Sequence, residues 1–310
     1  MNKQLPQIPV LLGPTAVGKS ALALELCERN NWELISCDSR QIYKGMDIGT
    51  AKPTVEELSL VPHHLISFLS PDDEYSAARW ATDAKKSIEE IINRGKTPLI
   101  TGGTFFYFQA LREGVEHTSE INHVFRDTCR QEEEKNPGIL HQRLMSIDPA
   151  RAEMLHPHDI QRIIRALFIC ETKDVLSSQK KFLQEPSPYD FTVVSLFRKR
   201  EQLYKRINQR VDMMLEQGLL KEFEQLLSQG YHKESPGLKC VGYQEFFNYI
   251  DKSDSLEGIA DTIKQHSRRY AKRQLTWLRN KQQADLQLDI THINKTQAIE
   301  FIENCYREVK

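Results

Sequence analysis

The chain has 310 residues, 39% of them hydrophobic and 27% charged, and its net charge at pH 7 is −1. That composition belongs to an ordinary soluble globular protein with room for one large core or two, and it excludes long disorder. The 6 cysteines, at positions 27, 37, 129, 170, 240 and 305, contain no C-x-x-C pair, which argues against a disulfide framework or a zinc knuckle.

In chain order, the first apolar run is Ile8 to Leu12, too short for a signal segment or a membrane span, so a cytoplasmic protein with no membrane partner is expected. Its part Pro9-Val10-Leu11-Leu12 suits a buried parallel strand, and Ala21-Leu22-Ala23-Leu24-Glu25-Leu26 is made of strong helix formers. Between them, Gly13-Pro14-Thr15-Ala16-Val17-Gly18-Lys19-Ser20 is a complete Walker A loop in the strand, loop, helix context that it needs. The glycines let N–H groups turn inward and the following helix adds its positive end. Lys19 neutralises phosphate, and the Ser20 hydroxyl can sit on Mg²⁺. A phosphate ligand is expected; whether it is ATP or another phosphate ester stays open at this point.

Glu33 to Cys37 reads as a second strand, Tyr75 to Asn93 as a helix, and Thr97 to Thr101 as a third strand running into Gly102-Gly103-Thr104. From Val115 to Pro188 the sequence is polar and helix-forming, with helices over Ile121 to Lys135, Gly138 to Met145 and Asp159 to Thr172, the last capped by Asp159. Phe191 to Phe197 alternates and branches like a strand returning to the sheet. The fold class is therefore α/β: a P-loop NTPase-like parallel sheet flanked by helices, interrupted by a helical insertion domain. The expected divisions are 1–114 and 189–310 for the core and 115–188 for the insertion. His63-His64 and His156-Pro157-His158 lack partners at zinc-ligand spacing and are not read as a metal site.

Charge is unevenly spread. Ile263 to Ala284 has no Asp or Glu but holds Lys264, Arg268, Arg269, Lys272, Arg273, Arg279 and Lys281. A second basic stretch runs from Arg198-Lys199-Arg200 to Lys205, Arg206 and Arg210, with Glu201 as its only acid. On a helix, Ala271, Leu275 and Leu278 share one face and leave Arg269, Lys272 and Arg273 to project elsewhere, with Tyr270 and Trp277 in the same run. A one-signed face with aromatic residues in it suits a nucleic acid. Ligands of open parallel sheets lie beyond the carboxyl ends of the strands. Asp38, just after the second strand, is therefore a candidate general base or Mg²⁺ ligand, unless it merely caps a turn.

Several stretches together resemble one family, the bacterial tRNA dimethylallyltransferases, also called tRNA isopentenyltransferases. They are the Walker loop, Asp38-Ser39-Arg40-Gln41-Ile42-Tyr43-Lys44-Gly45-Met46-Asp47-Ile48-Gly49-Thr50-Ala51-Lys52-Pro53, and Gly102-Gly103-Thr104. Further on come Asp159-Ile160-Gln161-Arg162-Ile163-Ile164-Arg165-Ala166-Leu167, Cys240-Val241-Gly242-Tyr243-Gln244-Glu245, and Tyr270-Ala271-Lys272-Arg273-Gln274-Leu275-Thr276-Trp277-Leu278-Arg279. The resemblance implies transfer of a dimethylallyl group from dimethylallyl diphosphate to N6 of the adenosine 3′ to a tRNA anticodon, with Mg²⁺ as cofactor. Gly13 to Ser20 would then hold the leaving diphosphate, with Ser20 on the metal, and Asp38, Thr104 and Arg210 would be catalytic. The implied tRNA contacts are Asp38, Ser39, Arg40, Gln41 and Thr104 in the core and Arg126, Gln161, Arg162 and Arg165 in the insertion. Cys240, Val241, Gly242, Tyr243 and Gln244, then Lys272 and Arg273, complete the set. The partners are the anticodon stem-loop and dimethylallyl diphosphate; a monomer with no obligate protein partner is expected. Phe105 and Phe106, after Gly103-Thr104, depart from the more usual residues and leave the shape of the prenyl channel open. A P-loop small-molecule or nucleotide kinase would use the same loop, but it would be expected to carry an Arg-bearing lid and would not need the acid-free segment. An RNA-interacting ATP-binding protein would leave Asp38 and Thr104 at strand ends unexplained.

Overall fold

The computed structural model describes residues 5–114, 121–173, 176–178, 187–251, 255–281 and 284–308. Its strands are β1 (Gln7–Leu12), β2 (Glu33–Cys37), β3 (His63–His64), β4 (Pro98–Gly102), β5 (Asp190–Phe197) and β6 (Leu286–Asp289). The first half carries helices α1 (Lys19–Asn30), α2 (Val55–Leu60), α3 (Ala77–Asn93) and α4 (Phe105–Glu113), followed by α5 (His123–Lys135), α6 (Ile139–Ile147), α7 (Pro149–Glu153) and α8 (Ile160–Lys173). The second half carries α9 (Arg200–Glu216), α10 (Leu219–Ser228), α11 (Phe246–Ile250), α12 (Leu256–Lys281) and α13 (Lys295–Glu308).

The strands form a 6-stranded sheet in the order β3-β2-β4-β1-β5-β6, parallel at every pairing, with Val10 of β1 opposite Ile100 of β4 and Val193 of β5. Leu11, Leu34, Leu99, Val194 and Leu196 pack with Leu22 and Leu26 of α1 and with Ile299 and Ile302 of α13. Tyr306 of α13 donates from its hydroxyl to Val10 O at 2.9 Å. The alternate residues Val10, Ile35, Ile100 and Val193 project to the opposite face and are buried as well. There α3 and α4 pack on β2, Trp80 donating from its indole N–H to Ser36 O at 3.0 Å. Burial on both faces is why these strands read as unbroken apolar runs.

The edge strands β3 and β6 were not expected from the sequence: two and four residues are too short to give a period. His63 and His64 make up β3, and their rings are engaged locally, His63 Nδ1 with Val61 O at 2.6 Å and His64 Nε2 with Glu33 Oε2 at 2.7 Å. A further apolar cluster joins α9, α10, α11 and α12 to the loop after β2 through Ile42, Met46, Val211, Phe223, Tyr243, Phe246 and Ile263.

The chain divides into two compact units, one of Met1–Glu113 with Pro186–Lys310 and one of Gly114–Glu185. The sheet lies in the first. The second contains α5 to α8 around its own core of Cys129, Leu140, Leu144, Ile163, Ile164 and Leu167. No strand occurs among its described residues. Its helix starts follow from their caps: Asn122 accepts from Val124 N at 2.9 Å, and Asp148 accepts from Arg151 N at 3.2 Å with Pro149 in the first turn of α7. Asp159 accepts from Arg162 N at 3.4 Å ahead of α8.

Candidate active site

The Walker loop joins β1 to α1. Gly18, at φ 114°, takes the left-handed conformation that turns the chain into α1, which a side chain would strain. The loop's carbonyls are held by cations. Lys19 Nζ donates to Pro14 O at 2.9 Å, Arg206 Nε to Ala16 O at 2.8 Å and Arg198 Nε to Val17 O at 2.8 Å. Drawing carbonyls toward cations leaves N–H groups and the start of α1 to meet an anion. The loop is also tied to α12: Thr15 N donates to Gln274 Oε1 at 2.9 Å, and Gln274 Nε2 donates to Gly103 O at 2.9 Å. Gln274 is 5% exposed, so both halves of its amide depend on these partners.

Asp38 follows β2 and shapes a tight turn, its Oδ1 accepting from Arg40 N at 2.8 Å and Gln41 N at 3.3 Å. Oδ2 takes no part in that turn. Thr104 fastens the turn to the end of β4: its N–H donates to Cys37 O at 3.2 Å and its Oγ1 accepts from Ser39 N at 3.1 Å. The two strand ends come so close that a Cβ on Gly102 would lie 2.0 Å from Cys37 O, so only glycine fits there.

Two buried carboxylates hold the loops that face this turn. Glu222 of α10 accepts from Asp47 N and Ile48 N, both at 2.8 Å, from Gly49 N at 3.1 Å and from the Tyr243 hydroxyl at 2.6 Å. Glu245 accepts from Gly242 N at 2.9 Å and pairs with His266 Nδ1 at 2.7 Å. From the Asp38 turn, Gln41 Nε2 donates to Thr50 O at 3.3 Å and Ala51 O at 3.0 Å.

These elements enclose a cavity of about 770 Å³ whose wall includes Lys19, Ser20, Asp38, Arg206, Arg210 and Tyr270. Burial pulls the Lys19 ammonium down to a pKa of about 7; Asp38 opposes that shift and Arg210 adds to it. Burial also lowers Arg210, again opposed by Asp38. Burial and then Asp38 push the Tyr270 hydroxyl up to about 12. Asp38 thus stands beside two crowded, desolvated cations, Lys19 and Arg210, an arrangement that an entering polyanion relieves.

The residues singled out in the sequence separate into groups. Thr15, Ala16, Gly18, Lys19 and Ser20 line the cavity, as do Asp38, Ser39, Arg40, Gln41 and Arg210. So do Cys240, Val241, Gly242, Gln244 and Arg273. Gly13, Pro14 and Val17 are buried beneath the loop. Thr104 is not among the lining residues; it acts on the turn through Ser39 and on Tyr270 by a hydroxyl contact. The Tyr243 side chain is fully buried against Glu222, so it supports the loop rather than facing the cavity. Lys272 is exposed on α12. Arg126 lies on α5 and Gln161, Arg162 and Arg165 on α8, where Arg162 pairs with Asp159 at 2.7 Å. Sequence reasoning passed over the structural roles of Arg198, Arg206, Glu222, Glu245 and Gln274. The basic stretch at 198–210 and the motifs around Glu245 and Gln274 gave a signal; Glu222 lies in no stretch singled out.

The family model described as IPP transferase matches residues 41–281, and one described as Isopentenyl transferase matches residues 6–67. The chain belongs to the IPP transferase family. Relatives within it include a tRNA dimethylallyltransferase of Bacillus subtilis (strain 168), 43% identical over 286 residues that cover 91% of each chain. Another, from Acetivibrio thermocellus, is 42% identical over 279 residues, 89% of each chain. Among solved structures, a tRNA isopentenylpyrophosphate transferase from Bacillus halodurans superposes with a TM-score of 0.72 at 37% identity, covering 97% of both chains. A eukaryotic dimethylallyltransferase acting on tRNA gives 0.83 at 29% identity, covering 98% of this chain and 80% of its own. The IPP transferase match thus spans the second unit and all of α12, while the shorter match spans the Walker loop and the Asp38 turn.

Proposed function

We propose that this chain is a tRNA dimethylallyltransferase that moves the dimethylallyl group of dimethylallyl diphosphate onto N6 of the adenosine 3′ to the anticodon, tRNA position 37. The observation that carries this reading is the shared cavity: a phosphate loop and cations stand opposite a carboxylate whose Oδ2 is not used by its own turn. The N6 amine attacks the allylic C1, the C1–O bond breaks, diphosphate leaves and the amine gives up one proton. An exocyclic adenine amine is a weak nucleophile, so a carboxylate aimed at its proton lowers the barrier. Asp38 takes that proton. Lys19, Arg210 and the loop amides meet the charge that grows on the departing diphosphate, and this favours the transition state over the bound substrate. Thr104 fixes the Asp38 turn through Ser39.

Mg²⁺ fits the donors present. Ser20 and Asp38 line the same cavity, and no cluster of three or more His, Cys, Asp or Glu that could hold a metal occurs among the described residues. A magnesium ion bound through one hydroxyl, substrate phosphates and water suits such a site, with Ser20 as its protein ligand. When bound it would neutralise part of the diphosphate charge. The target base must leave the anticodon-loop stack to reach the cavity, and the cations of α12 suit the RNA beside it. No described helix is long and apolar enough to cross a membrane. The deciding experiment is incubation with dimethylallyl diphosphate, Mg²⁺ and unmodified tRNA, followed by mass spectrometry of the nucleosides. N6-isopentenyladenosine is expected at one position; phosphorylation of a small molecule from ATP with no prenylated nucleoside would replace this reading by the kinase.

A further inference from the structure

In a trans peptide the C=O of one residue and the N–H of the next point in opposite directions, so a group that holds the carbonyl also aims the amide. Three carbonyls of the Walker loop are held by cations, and the amides behind them have different fates. Pro14 O is held by Lys19 Nζ, and the Thr15 N–H of the same peptide donates to Gln274 Oε1. Ala16 O is held by Arg206 Nε, and the Val17 N–H donates to Pro14 O at 3.3 Å. Val17 O is held by Arg198 Nε, and the amide of that peptide is the Gly18 N–H. Alone of the three, it donates to no protein group among the described residues, although Gly18 lines the cavity. A backbone donor at an anion cavity with no partner in its own chain is one left for the ligand.

The same peptide is weakly constrained by its own chain. Gly18 stands at φ 114°, in a region that glycine enters about as readily as its mirror image, so the Val17–Gly18 peptide can turn over through ψ of Val17 and φ of Gly18. Turned over, it would present the Val17 carbonyl to an anion in place of the N–H. Arg198 opposes that rotation. It follows β5, and its guanidinium bridges two carbonyls, Nε donating to Val17 O at 2.8 Å and Nη1 to Ile290 O, just beyond β6, at 2.6 Å. The end of β6 is fixed in turn, since Ile290 N donates to Phe197 O at 3.0 Å and Lys199 N to Thr291 Oγ1 at 2.8 Å. Burial and then Arg206 lower the pKa of Arg198, opposed by Asp289, so the guanidinium is held there against desolvation and a like charge. Arg198 is not part of the cavity wall.

We propose that Arg198 is a positioning residue for the leaving diphosphate: by pinning Val17 O to the end of β6, it keeps the Gly18 N–H turned toward the phosphates. The edge strand β6 thereby has a part in the site, because it supplies the carbonyl that fixes the other arm of the guanidinium. Geometry and not charge alone carries this role. A lysine has a single donor head on a flexible stem and no planar fork to span two carbonyls. The inference rests on the diphosphate reading given above and adds the device that holds the loop in its binding shape.

The test uses the full-length protein labelled with carbonyl-¹³C valine and ¹⁵N-glycine. Only Gly18 and Gly242 follow a valine in the sequence, so carbonyl-selected spectra show these two amides. Inorganic diphosphate with Mg²⁺ should move the Gly18 amide proton downfield in the wild type, the sign of a new charge-assisted hydrogen bond. Gly242, whose N–H is bound by Glu245, reports changes that are not specific to the loop. In Arg198→Met and in Arg198→Lys the Gly18 shift should be largely lost, and the Kd of diphosphate should rise about 10-fold, the scale of one hydrogen bond to a charged group. A side chain that only stabilised the fold would lower the melting temperature and leave the bound Gly18 signal as in the wild type. Should Arg198→Met fail to fold, Arg198→Lys carries the test. A Gly18 signal that moves as in the wild type in either folded variant would overturn the proposal, and so would a wild-type Gly18 signal that diphosphate leaves in place. A wild type that shows the Arg198-dependent shift yet forms no N6-isopentenyladenosine would sink the transferase reading and leave the role of Arg198 standing.

Discussion

Asp38 and Lys19 are two ends of one balance. In the cavity Asp38 is the carboxylate that opposes the shifts of both Lys19 and Arg210, and its own Oδ1 is committed to the amides of Arg40 and Gln41. Asp38→Asn keeps the turn's acceptor and removes the base, so single-turnover transfer should fall by about 10²–10⁴-fold while tRNA affinity holds. A rate within threefold of wild type would take Asp38 out of that role. Lys19, with a pKa of about 7 in the protein alone, is largely neutral above that pH. A bound diphosphate favours the charged form and raises this pKa, so binding above pH 7 takes up a proton and affinity falls as pH rises further. Calorimetry in buffers of different ionisation enthalpy should show this uptake in the wild type and not in Lys19→Met. Equal uptake in both would place the titrating group elsewhere.

Among the elements, α12 carries the most consequences, because one face joins it to the Walker loop while cations project from others. Gln274 closes the gap between Thr15 N and Gly103 O, two groups that no contiguous stretch of chain could bring together. In Gln274→Leu both lose their partner, and a buried polar group left unsatisfied costs about 1–3 kcal/mol. A weaker affinity for inorganic diphosphate and a lower melting temperature are expected, with stem-loop affinity near that of the wild type; unchanged diphosphate affinity would show that the loop keeps its shape without α12. The loop after β2 rests on α10 in a similar way. Replacing Glu222 by Ala strands three backbone N–H groups and the Tyr243 hydroxyl, and thermal denaturation should register a loss of about 3 kcal/mol or more. A shift of less than about 1 kcal/mol would mean that the loop finds other acceptors.

Across the whole molecule, the net charge of −1 conceals a segregation, with no Asp or Glu in the sequence from Ile263 to Ala284, although Lys264 at its start pairs with Asp212 at 2.6 Å. Stem-loop affinity should therefore fall steeply with added salt, and replacing Lys272 and Arg273 together by Ala should flatten the slope by about two units. A salt-independent affinity would overturn the RNA reading of α12. Much of this organisation was legible in the residues themselves. The Walker loop, the Asp38 turn, the strands β1, β2, β4 and β5 and the helices α5, α6 and α8 are each written in one contiguous stretch, where spacing, capping residues and apolar runs dictate local backbone, whereas the five-residue α7 was not read from it. The short edges β3 and β6 escaped because pairing with β2 and β5, and not their own pattern, makes them strands. The sequence by itself determined that a phosphate loop, a carboxylate at a strand end and a basic helix exist in one chain. The tertiary structure decided which distant residues serve them: Arg198 reaches Val17 across 181 positions, Glu222 reaches Asp47 across 175 and Gln274 reaches Thr15 across 259. Such pairings arise only when α9, α10 and α12 bury their apolar faces and carry these polar groups with them, and local sequence holds no record of that packing.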